Sequence, residues 1–367
     1  ITGILLLAVL TGVAAAGWYY WESRWYETTE NAYLTGNLVQ VSAQIGGTVV
    51  WIGREQNQRV QKGQEILRLS DGDELQLLAL RKSELALAVQ DVLTLRAEVN
   101  RLLAEQRLRV VTHDLAEDEF ERRQRLVTKN MVSKEELDAA HTREAETRVA
   151  METAQLALTK ARVRAGTQEL SEHPMVMVAS ARLRSAYRDW HKTRVMAPVD
   201  GEVARRRVQA GQRIAAGTPL FSIAERHSAW VEANFKETQL RHIRPGQPVE
   251  IHSDLYGNTL TLRGHVGSIG TGTGSVFSLL PPQNATGNWI KIVQRVPVRI
   301  ELDEGFDRKL PLPFGASLHV RVNTRERDGP ALRITESAEP VADADIYHYQ
   351  DEGVDELIAQ IIADSQG

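Results

Sequence analysis

Residues 43–69 read AQIGGTVVWIGREQNQRVQKGQEILRL, and residues 197–223 read APVDGEVARRRVQAGQRIAAGTPLFSI. These are one short β motif written twice. Ala43, Ile45, Gly47, Val49, Val60, Gly63, Ile66 and Leu69 return as Ala197, Val199, Gly201, Val203, Ile214, Gly217, Leu220 and Ile223, at a constant offset of 154 residues. An ungapped repeat of small and apolar positions predicts two half-motifs that fold against each other. They would hold together the two ends of whatever lies between them.

What lies between them is helical. From Asp73 to Ala165 there is neither glycine nor proline. Leu85, Ala88, Val92, Leu95, Val99 and Leu102 alternate spacings of three and four, as in a coiled-coil seam. Leu108, Val111 and Leu115 resume the seam in a shifted register, as at a stutter. The polar run Thr128-Lys129-Asn130-Met131-Val132 predicts a turn, and Ser133-Lys134-Glu135-Glu136 predicts a capping box that opens a second helix. Its seam runs through Leu137, Ala140, Glu144, Ala145, Val149, Leu156 and Val163, and Gly166 with Pro174 marks a break before a restart ending near His191. Two near-equal arms make an antiparallel hairpin of about 80–90 Å at 1.5 Å per residue.

The chain has 367 residues, a net charge of −4 and no cysteine. Neither composition nor charge points to a nucleic-acid partner. Without cysteine there is no disulfide framework, thiolate metal site or lipidated cysteine. Residues Ile1 to Ala16 carry no charge, and the first charged residue is Glu22. A run of roughly 20 such residues covers a bilayer core. Trp18, Tyr19, Tyr20, Trp21, Trp25 and Tyr26 follow it as a membrane-interface belt. The expectation is a transmembrane anchor over residues 1–21, with a cleaved signal peptide ending near Ala14 and Ala16 as the alternative. After Ser228, alternation in Trp230–Phe235 and Pro248–His252, with turn signals at Pro245-Gly246, Tyr256-Gly257-Asn258 and Gly264, predicts a small antiparallel β-barrel. Past Gly329 the chain is acid-rich, with a short amphipathic pattern through Val354, Leu357, Ile358 and Ile361.

The expected fold class is therefore an elongated α+β multidomain chain. It has a transmembrane anchor at 1–21 and a lipoyl-like β-sandwich in two halves at 27–72 and 193–226. That sandwich is split by a helical hairpin at 73–192 with its tip near 128–133. A β-barrel at 227–329 and an acidic tail at 330–367 follow.

Sites for chemistry are weak. The half-motifs resemble those of lipoyl or biotinyl carriers, but the turn that would present a modifiable lysine is replaced by the helical insertion. Lys62 reads as a solvated turn residue. Gly267 to Ser275 is glycine-rich but lacks the lysine and the strand-to-helix context of a phosphate loop. The histidines show no metal spacing, and no catalytic residue, cofactor or metal is expected. Two stretches remain. At the hairpin tip, Arg122, Leu126 and Ser133 follow the spacing Arg-x3-Leu-x6-Ser, with Arg122 and Leu126 on one helix face. Phe277 to Trp289 is apolar with turn residues. It is either a buried crossover or an exposed loop in which Phe277, Leu279, Leu280 and Trp289 face a partner or the membrane.

Several stretches together resemble the membrane fusion proteins, or periplasmic adaptors, of the HlyD family, most closely the EmrA type. They are Glu30-Asn31-Ala32-Tyr33 with Gly36-Asn37, Ala197-Pro198-Val199-Asp200-Gly201, Val231 through Thr238, and Phe277-Ser278-Leu279-Leu280-Pro281 through Gln294-Arg295. The resemblance implies a non-enzymatic adaptor of a tripartite multidrug efflux pump, anchored in the bacterial inner membrane with its bulk in the periplasm. It implies an inner-membrane, proton-driven major facilitator transporter and a TolC-type outer-membrane channel as partners. It also implies a homo-oligomeric ring, hexamer or trimer, and it gives Arg122, Leu126 and Ser133 the channel-contacting role. The alternatives are an adaptor of a type I, ABC-driven secretion system, a biotin- or lipoate-carrying domain, and a coiled-coil tether.

Overall fold

A computed structural model of the chain describes residues 10–12, 17–273, 276, 293–303, 312–328 and 345–366. The chain divides into two compact units, Ile1–Leu67 with Val195–Ile346 and Arg68–Arg194 with Tyr347–Gly367. In chain order the strands are β1 (Tyr26–Thr35), β2 (Leu38–Ser42), β3 (Gly47–Ile52), β4 (Arg59–Val60), β5 (Glu65–Leu69), β6 (Arg194–Met196), β7 (Gly201–Arg206), β8 (Arg213–Ile214), β9 (Pro219–Ala224), β10 (Trp230–Lys236), β11 (Pro248–Ser253), β12 (Gly257–Ile269), β13 (Arg295–Leu302) and β14 (Ser317–Asn323). The long helices are α1 (Gly72–Val127), α2 (Lys134–Ala165), α3 (Pro174–Lys192) and α4 (Val354–Asp364).

The repeated motif builds two four-stranded sheets, ordered β2-β9-β7-β4 and β6-β5-β3-β8. Each sheet takes strands from both copies. Gly47 pairs with Ile214, and the equivalent Gly201 pairs with Val60. The loop bonds repeat in the same reciprocal way. Gly63 donates its amide to Ala197 and Gly217 donates to Ala43, while Ala197 donates to Gln64 and Ala43 to Thr218. Gln58 and Gln212 accept at the same point of their respective turns, each at 3.0 Å from the amide three residues earlier. The repeated apolar positions Val49, Ile66, Val203 and Leu220 are buried between the sheets.

The barrel is closed and six-stranded, in the order β1-β10-β13-β12-β11-β14. Alternate residues point inward: Val231, Ala233 and Phe235 of β10, Val298 and Ile300 of β13, and Leu318, Val320 and Val322 of β14 are buried. One expectation is corrected here. Residues 27–35 do not belong to the sandwich. They form β1, which closes the barrel by pairing Ala32 with Ala233 and Leu34 with Val231, and Thr29 with Val320 on the other side. Their alternation was correctly strand-like, but alternation does not say which sheet a strand enters.

In the second unit α1 has 56 residues, about 84 Å at 1.5 Å per residue. It packs against α2 and then against α3. The break between α2 and α3 is local. Gly166 adopts a left-handed φ of 64°, Pro174 occupies the first turn of α3, and His173 caps that helix by accepting from the Met175 amide. The acidic C-terminal segment returns to this unit. Val354 and Ile358 of α4 are buried with Leu85, Val89 and Val92 of α1 and Val176 and Leu183 of α3.

Among the described residues no helix is long and apolar enough to cross a membrane. The apolar run expected to be the anchor lies largely outside those residues.

Candidate functional site

The turn joining α1 to α2 is built by the sequence around it. The Leu126 carbonyl accepts from the Met131 amide at 3.1 Å and the Val127 carbonyl from the Asn130 amide at 3.0 Å. Asn130 itself sits at φ 54°. This is the Schellman arrangement, and asparagine is the non-glycine residue best suited to its left-handed position. Thr128 also donates its hydroxyl to the Arg125 carbonyl at 2.7 Å. The chain then re-enters helix through the capping box: the Glu136 amide donates to the Ser133 hydroxyl, and the Glu136 carboxylate accepts from the Ser133 amide. These donors hold the Glu136 carboxyl below its usual range, first through the Ser133 backbone and then through its hydroxyl, with a smaller pull from Arg123.

Across the arms, Arg123 donates to the Glu136 carbonyl at 3.1 Å, and within α1 it donates to the Glu119 carboxylate at 2.6 Å. Phe120 and His141 meet with ring centroids 5.3 Å apart. Deeper in, the Thr147 hydroxyl lies 3.5 Å from His113 Nδ1, and both His113 and Glu144 are buried between the arms.

The structure places the three residues of the tip pattern in different roles. Arg122 is exposed and ion-paired with Glu119 one turn back. Leu126 is half-buried and its carbonyl caps the end of α1. Ser133 is exposed, but its hydroxyl is engaged by Glu136. Sequence spacing passes over Met131, which stands 70% exposed at the apex. A Schellman turn specifies a residue at this point, and a long apolar side chain left in solvent there is the signal that spacing omits.

At the expected membrane belt, Trp18, Tyr19, Tyr20 and Trp21 are all exposed. Trp25 is not part of that exposed set. Its carbonyl accepts from the Thr324 amide at 2.8 Å and hydroxyl at 2.9 Å, and the Arg24 and Arg327 guanidinium groups stack on its ring. Phe277, Leu279, Leu280 and Trp289 lie outside the described residues. Gly264, before the glycine-rich stretch, and Gly270, within it, pack against backbone of the neighbouring strand β13, where a side chain would collide with Glu301 and Pro297. Those glycines serve close strand approach. Lys62 lies in a turn where its amide donates to the Asp200 carboxylate at 2.8 Å. Among the described residues no group of three or more acidic or histidine side chains is placed to hold a metal ion.

Comparison with known proteins assigns the hairpin and the barrel. Residues 73–193 match the family model described as the EMRA alpha-helical hairpin domain, and residues 228–323 match the AAEA-like beta-barrel domain. The chain is 41% identical to the fatty acid resistance protein FarA of Neisseria gonorrhoeae, over 90% of this chain and 84% of that one. It is 36% identical to the multidrug export protein EmrA of Escherichia coli K12, over 97% of this chain and 91% of that one. A solved structure of the periplasmic adaptor protein EmrA aligns at 19% identity with a TM-score of 0.42, covering 82% of this chain and 99% of that chain.

Proposed function

Since the chain belongs to the EmrA-type membrane fusion proteins of the HlyD family, we propose that it is the periplasmic adaptor of a tripartite efflux pump. It joins a proton-driven major facilitator transporter of the inner membrane to a TolC-type outer-membrane channel. Residues 1–21 anchor it by a single pass, and the exposed aromatics from Trp18 to Trp21 lie at the membrane surface. The bulk of the chain is periplasmic. The adaptor itself performs no chemistry, and the transporter supplies the energy.

The observation that carries this reading is the hairpin turn. Two long arms end in a tightly bonded six-residue turn whose apex displays Met131 to solvent, with Arg122 exposed on the last turns of α1 beside it. A rigid, exposed end on a long rod suits contact with a partner at a distance. Copies assembled as a ring, a hexamer or a trimer, would present several such ends together, so that weak contacts add as avidity. The relatives' names, fatty acid resistance and multidrug export, point to small compounds with an apolar body as cargo.

The test is affinity capture of the tagged chain from solubilised membranes, with identification of what comes with it. Recovery of a major facilitator transporter and an outer-membrane channel together supports the reading. Recovery of an ABC exporter in place of the carrier transfers the chain to type I secretion. In cells, Arg122→Asp or Leu126→Asp is expected to reduce channel cross-linking and drug tolerance at unchanged protein level. Normal export by both variants would remove those residues from the channel contact.

A further inference from the structure

Where the last segment of the chain returns to the hairpin unit, four aromatic rings meet at the end of α3. The His191 ring lies 4.6 Å from that of Tyr187 and 4.6 Å from that of Trp190, centroid to centroid. Tyr349 of the returning segment stands edge-on to it at 5.9 Å. The Arg194 guanidinium stacks on Trp190, 5.2 Å from its centroid. His191 Nε2 is buried in this cluster and, among the described residues, has no hydrogen-bond partner.

That bare nitrogen makes the cluster sensitive to protons. A neutral imidazole can carry its proton on Nδ1 and leave Nε2 without one, but an imidazolium carries both. Protonation would therefore leave a buried N–H without an acceptor and hold a charge out of water. The face of Trp190 cannot stabilise that charge, since the Arg194 cation already occupies it. Among the described residues the charges that act on the imidazole are Arg194, which opposes protonation, and Glu352, which favours it. Elsewhere on α3 Arg188 pairs with Asp351 and Lys192 with Asp189. On the face of α1 packed against α3, Arg81 pairs with Glu84, and Glu74 and Lys82 are half-buried one turn either side of Leu78. From α4, Glu356 acts on Tyr187. Burial is the largest influence on His191 and holds it below the ordinary histidine value of 6.5, with Arg194 next and Glu352 opposing both.

We propose that His191 is a proton-operated latch on residues 347–366: neutral, it lies against Tyr349 and the segment stays docked; protonated, it drives the segment off the α1–α3 face. The coupling runs through Tyr349. Its ring is one wall of the cluster, and its hydroxyl donates to the Arg194 carbonyl at 3.0 Å. Water reaches the imidazolium on that side when Tyr349 swings out and gives up that bond. Undocking removes this wall together with Glu352, while Arg194 stays. Burial outweighs the pull of the exposed Glu352 carboxylate, so the docked state is the one that resists the proton. The contribution to docking is complete above 6.5 and is lost as pH falls through the lowered value. Histidine is the side chain whose charge changes in that range. Release bares Leu85 and Val89 of α1 and Val176 and Leu183 of α3, so the hairpin unit presents a different surface in acid. The latch does not depend on the partners proposed above.

The full-length chain in detergent is followed by hydrogen exchange from neutral pH to about pH 5.5, a window in which ordinary carboxylates keep their charge. Each rate is taken relative to the intrinsic rate at that pH. Protection across residues 347–366 is expected to fall several-fold at the acid end and to return on neutralisation, while β10 and β13 keep theirs. His191→Phe keeps an aromatic ring in the cluster and takes no proton, so its segment should stay protected throughout. Glu352→Gln removes the pull that favours the imidazolium and should deepen the acid loss, while the Glu352 carbonyl still accepts from Tyr187. A segment insensitive to acid in the unaltered chain overturns the latch. So does an acid loss that persists in His191→Phe. Should His191→Phe already be loose at neutral pH, Glu352→Gln decides: an acid loss no deeper than that of the unaltered chain overturns the assignment to His191.

Discussion

The Tyr187 hydroxyl donates to the backbone carbonyl of Glu352 at 2.7 Å. This bond joins α3 to the last segment of the chain. Tyr349 returns the tie by donating to the Arg194 carbonyl at 3.0 Å, and Arg184 and Arg188 pair with Asp355 and Asp351. Those ion pairs are half-exposed and contribute little each. Burial of Val354 and Ile358 is the stronger term. Ile358→Ala should weaken docking of α4 by about 2–4 kcal/mol, and Ile358→Asp should release it. Hydrogen exchange would then show residues 345–366 losing protection while the barrel strands keep theirs. Unchanged protection in Ile358→Asp would show that α4 is held by something other than its apolar face.

Two glycines of the repeat should respond differently to alanine. Gly201 lies against β9, where an added Cβ would run into the Ala224 carbonyl and the Ile223 side chain. Backbone cannot swing aside as a flexible side chain can. Gly63 has open space around it but a left-handed φ of 80°. Gly63→Ala should cost about 1 kcal/mol from backbone strain, and Gly201→Ala about 1–3 kcal/mol from overpacking. Thermal melting of the two variants should rank Gly201→Ala below Gly63→Ala. The reverse order would mean that β7 and β9 can separate at that point without loss.

The repeat was legible because strand pairing fixes spacing. Gly47 and Gly201 must each meet a partner from the other copy, and that demand leaves the same residues at the same intervals. The capping box at Ser133 and the barrel strands were legible for the similar reason that caps and alternation are local. The rest depended on distant partners. Nothing within Tyr26–Thr35 reveals that its mate is β10, some two hundred residues away. The amphipathic pattern of Val354–Ile361 announces a helix but not the α1–α3 face that covers it. The same limit applies at the tip. Spacing picks out Arg122, Leu126 and Ser133, but only the folded turn shows that Ser133 is engaged as a cap and that Met131 is the apolar side chain left outside.

The cap should make the turn sensitive to acid. The Glu136 carboxyl is held below the ordinary glutamate value of 4.5, chiefly by the Ser133 amide and hydroxyl. A depressed folded value means that the contribution is complete above about 4.5 and is lost as pH falls through the lowered value. Protection of the amides at the start of α2, measured as exchange relative to the intrinsic rate at each pH, should therefore fall below that range. Glu136→Gln keeps the acceptor oxygen but removes the charge, so it should flatten the pH dependence. Ser133→Ala removes one acceptor and should raise exchange several-fold at neutral pH. An unaltered acid profile in Glu136→Gln would assign the effect to another carboxylate, with Glu119 beneath Arg123 the next to test.

Met131 separates contact from structure at the tip more cleanly than the three patterned residues do. Its amide holds the Schellman turn by bonding to the Leu126 carbonyl, whereas its side chain is 70% exposed. Met131→Glu therefore keeps the backbone bond and changes only what the apex displays. Stability should move by no more than about 0.5 kcal/mol, as for a surface substitution away from caps and cores. If the apex meets an apolar socket on the outer-membrane channel, burying the new carboxylate there without a partner is costly, and drug tolerance should fall at unchanged melting temperature. Met131→Leu preserves the apolar body and should retain function. Ser133→Ala, in contrast, should lower tolerance only to the extent that it frays α2. Full tolerance in Met131→Glu would place the channel contact on the Arg122 side of the turn and leave the apex methionine as a bystander.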